Sequence, residues 1–440
     1  MASRRRRNRP SEPREVTIES MSHEGRGIAH VNGKTVFVFG ALPGERVLMQ
    51  VQQRSRKFDQ AVTLEVIEAS PQRIEPRCEF FQVCGGCSLQ HLSNDDQVAL
   101  KQQSLLDMMA HAGVRVGQVL APLRGPEWGY RKKARLGVKN VTKKGRVLVG
   151  FRERSTPFIA DMRACEVLLP EVGNRLQELS ELVGQLDARA QIPQIEVAAD
   201  DSQVQLVFRH LQPLSESDLG LLREFARQHG FLLQLQPAGP ETVHDLYPAE
   251  QSLAFDPIGD GSIAIGFNAL DFVQVNTTIN QQMVRQALEF LELQATDSVL
   301  DLFCGLGNFT LPVARRCARV SGIEGDAAMV QRARESAQAN GIGNTEYYVA
   351  DLGSPDANDP WARADYDKIL LDPPRSGAQE MARSIGSFKA RRIVYVSCQP
   401  SSLVRDAAII CGQGYQMTHL GVMDMFPQTA HIESMAVFAK

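Results

Sequence analysis

The sequence predicts an α/β protein built around a doubly wound, Rossmann-like parallel sheet, with two other regions in front of it. Three observations support this prediction. Strand-like and helix-like segments alternate regularly over residues 271–440, mixed α+β patterns fill residues 70–270, and short alternating strands with hairpin turns fill residues 13–69. We therefore divide the 440-residue chain into these three domains, preceded by a basic tail at residues 1–12.

The charges are distributed unevenly, although the net charge is only −3. Residues 1–15 hold six Arg against two Glu, and the Arg- and Pro-rich residues 1–12 are typical of a disordered segment. Residues 124–154 hold eleven Lys and Arg against two Glu. Two basic segments placed before the α/β domain favour a phosphate-rich partner such as RNA.

The front domain is predicted to be a small, OB-like β-barrel. Apolar and polar residues alternate in three segments, and Asn32-Gly33 and Pro43-Gly44 supply the turns between strands. The three segments are residues 16–19, 35–39 and 61–66.

No apolar stretch is long enough to span a membrane, and the N-terminus has no apolar run of the secretory type. We therefore expect a cytoplasmic protein without a membrane partner. Clustered cysteines in such a protein indicate a metal site or catalysis rather than disulfides. Cys78, Cys84, Cys87 and Cys165 form one candidate set, and four thiolates can hold zinc or an iron–sulfur cluster. Spacing alone does not decide between the two.

The cofactor prediction comes from the first three strands of the α/β domain. Residues 298–309 form an apolar run, a turn with Gly305 and Gly307, and a helix start, with a spacing unlike that of dinucleotide binders. Glu324 and Asp351 end or follow the next two predicted strands. The first carboxylate suits ribose hydroxyls and the second an adenine amino group, whereas phosphates would be repelled. The pattern predicts S-adenosylmethionine and therefore methyl transfer.

A candidate nucleophile follows a later predicted strand. Residues 392–397 run into Cys398, and Pro400 suits the first turn of the next helix. Because a helix N-terminus lowers the pKa of a nearby thiol, we expect a reactive thiolate at Cys398. Uracil C5 becomes nucleophilic when a thiolate adds to C6, and a base must then remove the C5 proton. Glu433, at the start of the last predicted strand, is the candidate base.

The preceding strand ends in Asp372-Pro373-Pro374-Arg375. In amino-methylating enzymes the comparable turn carries an aromatic residue after the prolines, so Arg375 argues against methylation of adenine N6. Asp372 can accept the N3–H of uracil, and we expect it to bind the substrate.

These motifs together closely resemble the RNA uracil-5-methyltransferases. The resemblance rests on residues 372–375, 396–400 and 431–433, and on residues 272–276 before the methyltransferase core. It implies that Cys398 is the nucleophile and Glu433 the base. Gln399 stands where many members have Asn, which changes none of these roles. The resemblance also implies six cofactor-site positions: Gln274, Phe303, Asn308, Glu324, Asp351 and Asp372.

Two further features resemble one group within this family. Residues 22–29 and 41–45 are similar to the TRAM RNA-binding module, and the cysteine arrangement resembles that of members with a 4Fe–4S cluster. The combination is similar to the members that methylate 23S ribosomal RNA. It implies 23S ribosomal RNA as partner, and we expect a monomer that acts before the ribosome is fully assembled.

Alternatives remain open at this stage. The substrate can be a uridine in another RNA, such as transfer RNA, or a cytosine, which Asp372 suits only if protonated. A non-enzymatic alternative is an RNA-binding iron–sulfur protein with a degenerate methyltransferase fold. The presence of Gly305, Gly307, Glu324, Cys398 and Glu433 argues against that alternative.

Overall fold

The computed structural model describes residues 11–250 and 252–440, which fall into two compact units. The predicted disordered tail lies outside the described residues except for Ser11 and Glu12. The predicted domain boundaries after residues 69 and 270 divide the chain differently and stay predictions. The first unit comprises the described part of Met1–Ser104, with Glu153–Thr156 and Phe426–His431; the second comprises Leu105–Arg152, Pro157–Met425 and Ile432–Lys440.

The first unit contains one six-stranded sheet. Its strands are β1 (Arg14–Thr17), β2 (Ser20–Met21), β3 (Gly27–Val31), β4 (Lys34–Phe39), β5 (Arg46–Arg54) and β6 (Phe58–Glu68), in the spatial order β1-β5-β6-β4-β3-β2. Asn32 and Gly33 join β3 to β4 with φ angles of 52° and 78°. A two-residue hairpin turn needs positive φ at both positions, so the structure confirms the predicted turn. The alternating β4 buries Val36 and Val38 in the core of the sheet.

Helix α1 (Asn94–His111) contains the division between the two units. The second unit then begins with a mixed region whose main feature is a six-stranded sheet of order β13-β12-β11-β10-β8-β9. Its strands are β8 (Lys133–Val141), β9 (Arg146–Gly150), β10 (Gln194–Ala199), β11 (Val204–Arg209), β12 (Leu232–Gln236) and β13 (His244–Tyr247). The helices of this region are α2 (Pro170–Gly173), α3 (Leu176–Gln185) and α4 (Glu216–His229). A separate pair follows, β14 (Leu253–Phe255) with β15 (Ile265–Phe267).

The rest of the second unit is built on an eight-stranded sheet. Its strands are β7 (Gln118–Val119), β16 (Ser298–Leu302), β17 (Arg319–Glu324), β18 (Thr345–Val349), β19 (Lys368–Leu371), β20 (Arg392–Ser397), β21 (Gln416–Met423) and β22 (Glu433–Ala439). The spatial order is β18-β17-β16-β19-β20-β22-β21-β7. The helices are α5 (Thr277–Leu291), α6 (Thr310–Ala314), α7 (Ala327–Ala339), α8 (Gln379–Ser384) and α9 (Pro400–Cys411). Short 3₁₀ helices lie at Thr142–Lys144, Pro240–Thr242, Trp361–Arg363 and Ile385–Phe388.

This sheet confirms the predicted doubly wound architecture. Strands β16 to β20 are mutually parallel, and β22 pairs antiparallel with both β20 and β21. The central strands β16, β19 and β20 are mostly apolar and almost wholly buried, as expected for strands covered on both faces. Among the described helices, none is long and apolar enough to cross a membrane.

Candidate active site

The predicted site residues gather where the parallel strands end. Phe303 directly follows β16, Glu324 ends β17, Asp372 directly follows β19 and Cys398 directly follows β20. Asp351 comes two residues after β18, and it is exposed. Because parallel neighbours in register end at the same edge of a sheet, five chain segments meet there. This edge is where open α/β sheets bind their ligands.

The glycine turn after β16 is tied to the end of β17. The backbone N–H of Gly305 donates to Oε2 of Glu324 at 3.1 Å. Gly305 and Gly307 have φ angles of 55° and 94°, which favour glycine. A Cβ on Gly307 would lie 3.4 Å from the Tyr347 hydroxyl oxygen. The turn therefore leaves a backbone surface that a ligand can approach closely.

Two buried polar atoms beside this turn support a polar ligand there. In the described part of the chain, Oδ1 of Asp301 and the hydroxyl of Tyr347 have no hydrogen-bond partner. Buried polar groups normally have partners, so such atoms call for one. Together with the Glu324 carboxylate and the glycine turn, these atoms fit a nucleoside cofactor, which would be held by Glu324 and Asp351 as the sequence predicts.

Asn308 is positioned by a residue that sequence reasoning missed. The amides of Asn308 and Asn280 form two reciprocal hydrogen bonds, each 2.9 Å long, from Nδ2 to Oδ1. Asn280 is buried on α5, and Gln274 lines a small cavity together with Asn280. The signal in the sequence was a polar residue on the face of α5 that otherwise carries apolar core residues. Asn280 thus hydrogen-bonds to the predicted cofactor residue Asn308 and lines the same cavity as the predicted cofactor residue Gln274.

Asp301 is a second residue that the sequence analysis did not single out. It is buried in the middle of β16, and Oγ1 of Thr310 donates to its Oδ2 at 2.5 Å. Burial raises the pKa of Asp301 to about 7, although the Thr310 bond acts in the opposite direction. Its signal was an acidic residue inside an otherwise apolar strand.

Cys398 and Glu433 are brought together by the pairing of β20 with β22. Ser397 and Ser434 are direct partners in this antiparallel pair. Cys398 is the next residue after Ser397, and Glu433 is the residue before Ser434, so both stand at the same end of the pair. The Glu433 side chain is buried and the Cys398 side chain is half-buried. Two residues 35 positions apart in the chain thus occupy neighbouring places.

The prediction of a lowered pKa for the Cys398 thiol is wrong for this structure. The pKa of Cys398 is raised to about 11, chiefly by burial and next by the carboxylates of Glu433 and Asp372, whereas Arg375 lowers it. Cys398 does precede helix α9, whose first residue is Pro400. The dipole of that helix is outweighed by burial and by two acidic neighbours that local sequence does not reveal.

Asp372 lies at the start of the loop after β19, and its backbone N–H donates to the Leu302 carbonyl at 3.3 Å. Burial raises the pKa of Asp372 to about 7. Its electrostatic effect on Cys398 places it in the same site as the thiol. Asp372 is therefore close to the reacting groups and changes its charge near neutral pH.

The predicted cysteine ligands are divided between the two units. Cys78, Cys84 and Cys87 belong to the first unit and Cys165 to the second. Within the residues that the structure describes, no group of three or more His, Cys, Asp or Glu side chains is arranged to hold a metal ion. In the first unit, the N–H of Gly86 donates to the sulfur of Cys84 at 3.4 Å. The partly buried Arg154 guanidinium donates to the carbonyl oxygens of Cys84 and Cys87 at 2.8 and 2.7 Å.

The parallel sheet, the glycine turn and the acidic residues at its strand ends define the class of the protein, an S-adenosylmethionine-dependent methyltransferase. Family profiles refine this class. The profile described as tRNA (Uracil-5-)-methyltransferase matches residues 252–352 and 361–440, and that of the TRAM domain matches residues 11–61.

Curated relatives extend the similarity over the whole chain. The 23S rRNA (uracil(1939)-C(5))-methyltransferase RlmD of Hahella chejuensis is 50% identical over 445 residues, covering 100% of both chains. The protein of the same name from Alkalilimnicola ehrlichii is 51% identical over 442 residues, covering 99% of each chain. The chain belongs to the family of RNA uracil-C5-methyltransferases.

A solved structure shows the same fold. The tRNA (uracil-54, C5)-methyltransferase of Pyrococcus abyssi, in complex with S-adenosyl-L-homocysteine, superposes with a TM-score of 0.74. It covers 97% of this chain and 99% of its own, at 22% identity.

Proposed function

We propose that this protein methylates C5 of a uridine in 23S ribosomal RNA, at the position that its relatives' name gives as 1939. The observation that carries the chemistry is the pairing of β20 with β22, which sets Cys398 beside Glu433. Full-length relatives named for this reaction support the choice of RNA.

Cys398, Glu433 and Asp372 each have one task in this proposal. The Cys398 thiolate adds to C6 of uracil, and the electrons of the C5–C6 double bond move toward O4, which makes C5 nucleophilic. S-adenosylmethionine, when bound, supplies the methyl group that C5 takes up. Glu433 then removes the proton from C5, the double bond re-forms and the Cys398 thiolate leaves.

Asp372 links substrate binding to the activation of the thiol. Its carboxylate accepts the N3–H of uracil, as the sequence predicts. When that carboxylate is engaged by a hydrogen bond, it repels the forming thiolate of Cys398 less strongly, because its charge is partly neutralised. A thiol whose pKa is about 11 without substrate therefore becomes easier to ionise when uracil is present.

Methyl-labelled cofactor and three RNAs test this function. We expect label in a 23S fragment containing the target uridine and none in the same fragment with cytidine at that position. Cys398→Ala should abolish transfer while cofactor affinity changes little, and Cys411→Ala at the end of α9 should behave like wild type. Preferential labelling of transfer RNA would refute the proposed RNA, and labelling of the cytidine variant would refute uracil specificity.

We also propose that Cys78, Cys84, Cys87 and Cys165 hold a 4Fe–4S cluster. The compact cysteine pattern, the N–H bond to the sulfur of Cys84 and the nearby Arg154 cation support thiolate ligands, since both stabilise negative charge on sulfur. Protein purified anaerobically should be brown. Cys84→Ser should lose the colour, and Cys317→Ser should keep it. Stoichiometric zinc in protein made with ample iron would contradict this assignment.

The depth of the site determines which form of the RNA can be methylated. A uridine must leave its base stack to reach half-buried Cys398, which costs roughly a few kcal/mol. We therefore propose that the protein acts as a cytoplasmic monomer on RNA that is not yet in a complete ribosome. Naked 23S RNA should be methylated faster than assembled large subunits. Equal rates on both, or a dimer by light scattering, would contradict this.

A further inference from the structure

The loop between β19 and α8, residues 372–378, carries two of the three charged groups that act on Cys398. Asp372 begins this loop and Arg375 lies in its middle. The loop has no regular secondary structure, and its internal hydrogen bond joins the N–H of Gly377 to the carbonyl of Pro374 at 2.8 Å. The N–H of Asp372 holds the start of the loop to the Leu302 carbonyl, so a second anchor outside the loop must fix its far end.

That fixed point is a fully buried carboxylate on α9. Asp406 is 0% exposed, and its Oδ2 accepts the N–H of Ala378 and the hydroxyl of Tyr395, both at 2.7 Å. Arg405 donates from Nε to Oδ1 of Asp406 at 2.8 Å, and its Nη2 donates to the carbonyl of Ser376 at 2.8 Å. One ion pair thus connects the end of the loop to β20 and to α9.

The packing at Gly377 shows how closely the loop approaches this ion pair. Gly377 has a φ of +77°, and a Cβ there would lie 2.5 Å from Nη2 of Arg405 and 2.6 Å from Oδ2 of Asp406. No side chain can be added without moving the loop away from α9.

We propose that Asp406 is a positioning residue for methyl transfer, because it holds the loop of residues 372–378 against α9 and thereby fixes Asp372 and Arg375 relative to Cys398. Helix α9 begins two residues after Cys398, so the same helix carries the anchor of the loop and borders the nucleophile. The link to catalysis rests on the function proposed above. Asp406 itself touches neither substrate nor cofactor in this role.

The proposal has a consequence for the thiol that can be measured without RNA. The charged groups that act on Cys398 are Glu433 on β22 and Asp372 and Arg375 on the loop, while burial is the largest cause that raises the pKa of the thiol. A loosened loop admits water and removes the Asp372 carboxylate. Both changes lower the pKa of Cys398 and outweigh the loss of Arg375.

Four variants test the role. Asp406→Ala removes the anchor, and Asp406→Asn keeps an acceptor for the Ala378 N–H. Gly377→Ala forces the loop and the Arg405–Asp406 ion pair apart while the residue at position 406 stays Asp. Gln413→Ala is the matched control, because Gln413 also ties the region after α9 to the α8 region, accepting the Gly386 N–H at 2.9 Å, but away from the loop.

The readouts are kcat on RNA, cofactor affinity by calorimetry, and the pH profile of Cys398 alkylation followed by mass spectrometry. We expect Asp406→Ala and Gly377→Ala to lower kcat about tenfold to a hundredfold, the size of effect that a misplaced reacting group produces. Their cofactor affinity should fall much less than kcat does, because Asp372 is the single implied cofactor position on the loop and Glu324 and the glycine turn are not part of this ion pair. The alkylation midpoint should move to lower pH, and Asp406→Asn should recover most of both effects.

Gln413→Ala should lower the melting temperature without changing kcat or the alkylation midpoint. The proposal is overturned if Gly377→Ala folds and retains wild-type kcat and alkylation midpoint. It is also overturned if Gln413→Ala moves both readouts as much as the loop variants do. Cys398 alkylation is measured without RNA. It would therefore still test the role of Asp406 if 23S ribosomal RNA proved not to be the substrate.

Discussion

Replacing Glu433 by Gln tests the order of events at the active site most directly. After methyl transfer, C5 carries both a methyl group and its original proton, while Cys398 is still bonded to C6. The thiolate leaves only when that proton is removed, and Glu433 is the buried carboxylate beside it in the β20–β22 pair. Loss of a general base typically slows such a step about 100- to 10,000-fold.

The same substitution also changes the first step, in the opposite direction. The Glu433 carboxylate raises the pKa of Cys398, which is about 11. At pH 8 only about one thiol in a thousand is then ionised, and each unit by which the pKa falls increases the thiolate population about tenfold. Glu433→Gln removes that negative charge. The adduct should therefore form at least as readily as in wild type, and its resolution should be much slower.

The assay is a denaturing gel with methyl-labelled cofactor and a short RNA. A labelled, RNase-sensitive protein band of retarded mobility should accumulate with Glu433→Gln. It should be absent with Cys398→Ala and resolved in wild type. Normal turnover by Glu433→Gln would refute Glu433 as the base, and an adduct that lacks the methyl label would refute the order of steps.

Three further outcomes follow from the described contacts. Asp301 keeps its proton in the folded state between pH about 4 and about 7 but loses it when unfolded, so stability should fall as pH rises through this window. Asp301→Asn should remove that loss, a difference of about 3 kcal/mol in melting experiments at pH 8 against pH 5. Asn280→Ala leaves the Asn308 amide without its partner and should weaken cofactor binding about tenfold by calorimetry. Deleting residues 1–68 should weaken RNA binding at moderate salt more than it slows chemistry on saturating RNA.

The sequence was sufficient for the parallel sheet because its central strands are mostly apolar and regularly alternate with helical segments. It was less informative in the central region. The mixed α+β pattern there did not reveal that α2 and α3 are separate helices, divided where Gly173 packs so closely that a Cβ would lie 2.4 Å from the Cys165 carbonyl oxygen. Strands β13 and β14 were not predicted, because each is only three or four residues long and depends on a distant pairing partner.

The candidate site shows the same division between local and non-local information. The nucleophile, the base and the strand-ending acids stand in recognisable motifs, and the structure gathers them at one edge of the sheet. The raised pKa of Cys398 was not foreseen, since burial and the charges of Glu433 and Asp372 come from chain segments far from it in sequence. Asn280 and Asp406 were missed because the role of a buried polar residue on a helix depends on its hydrogen-bond partner, which the local sequence does not identify.

The position of β22 in the sheet constrains how the enzyme is made. This strand lies between β20 and β21, yet it follows both of them in the chain. During synthesis β20 therefore remains an exposed edge, and β21 can pair only with the two-residue strand β7 until β22 emerges. The strand that closes this gap also delivers Glu433. In the proposed mechanism the last strand thus completes both the sheet and the active site, so a nascent chain that already contains Cys398 cannot yet remove the C5 proton and release a methylated uridine.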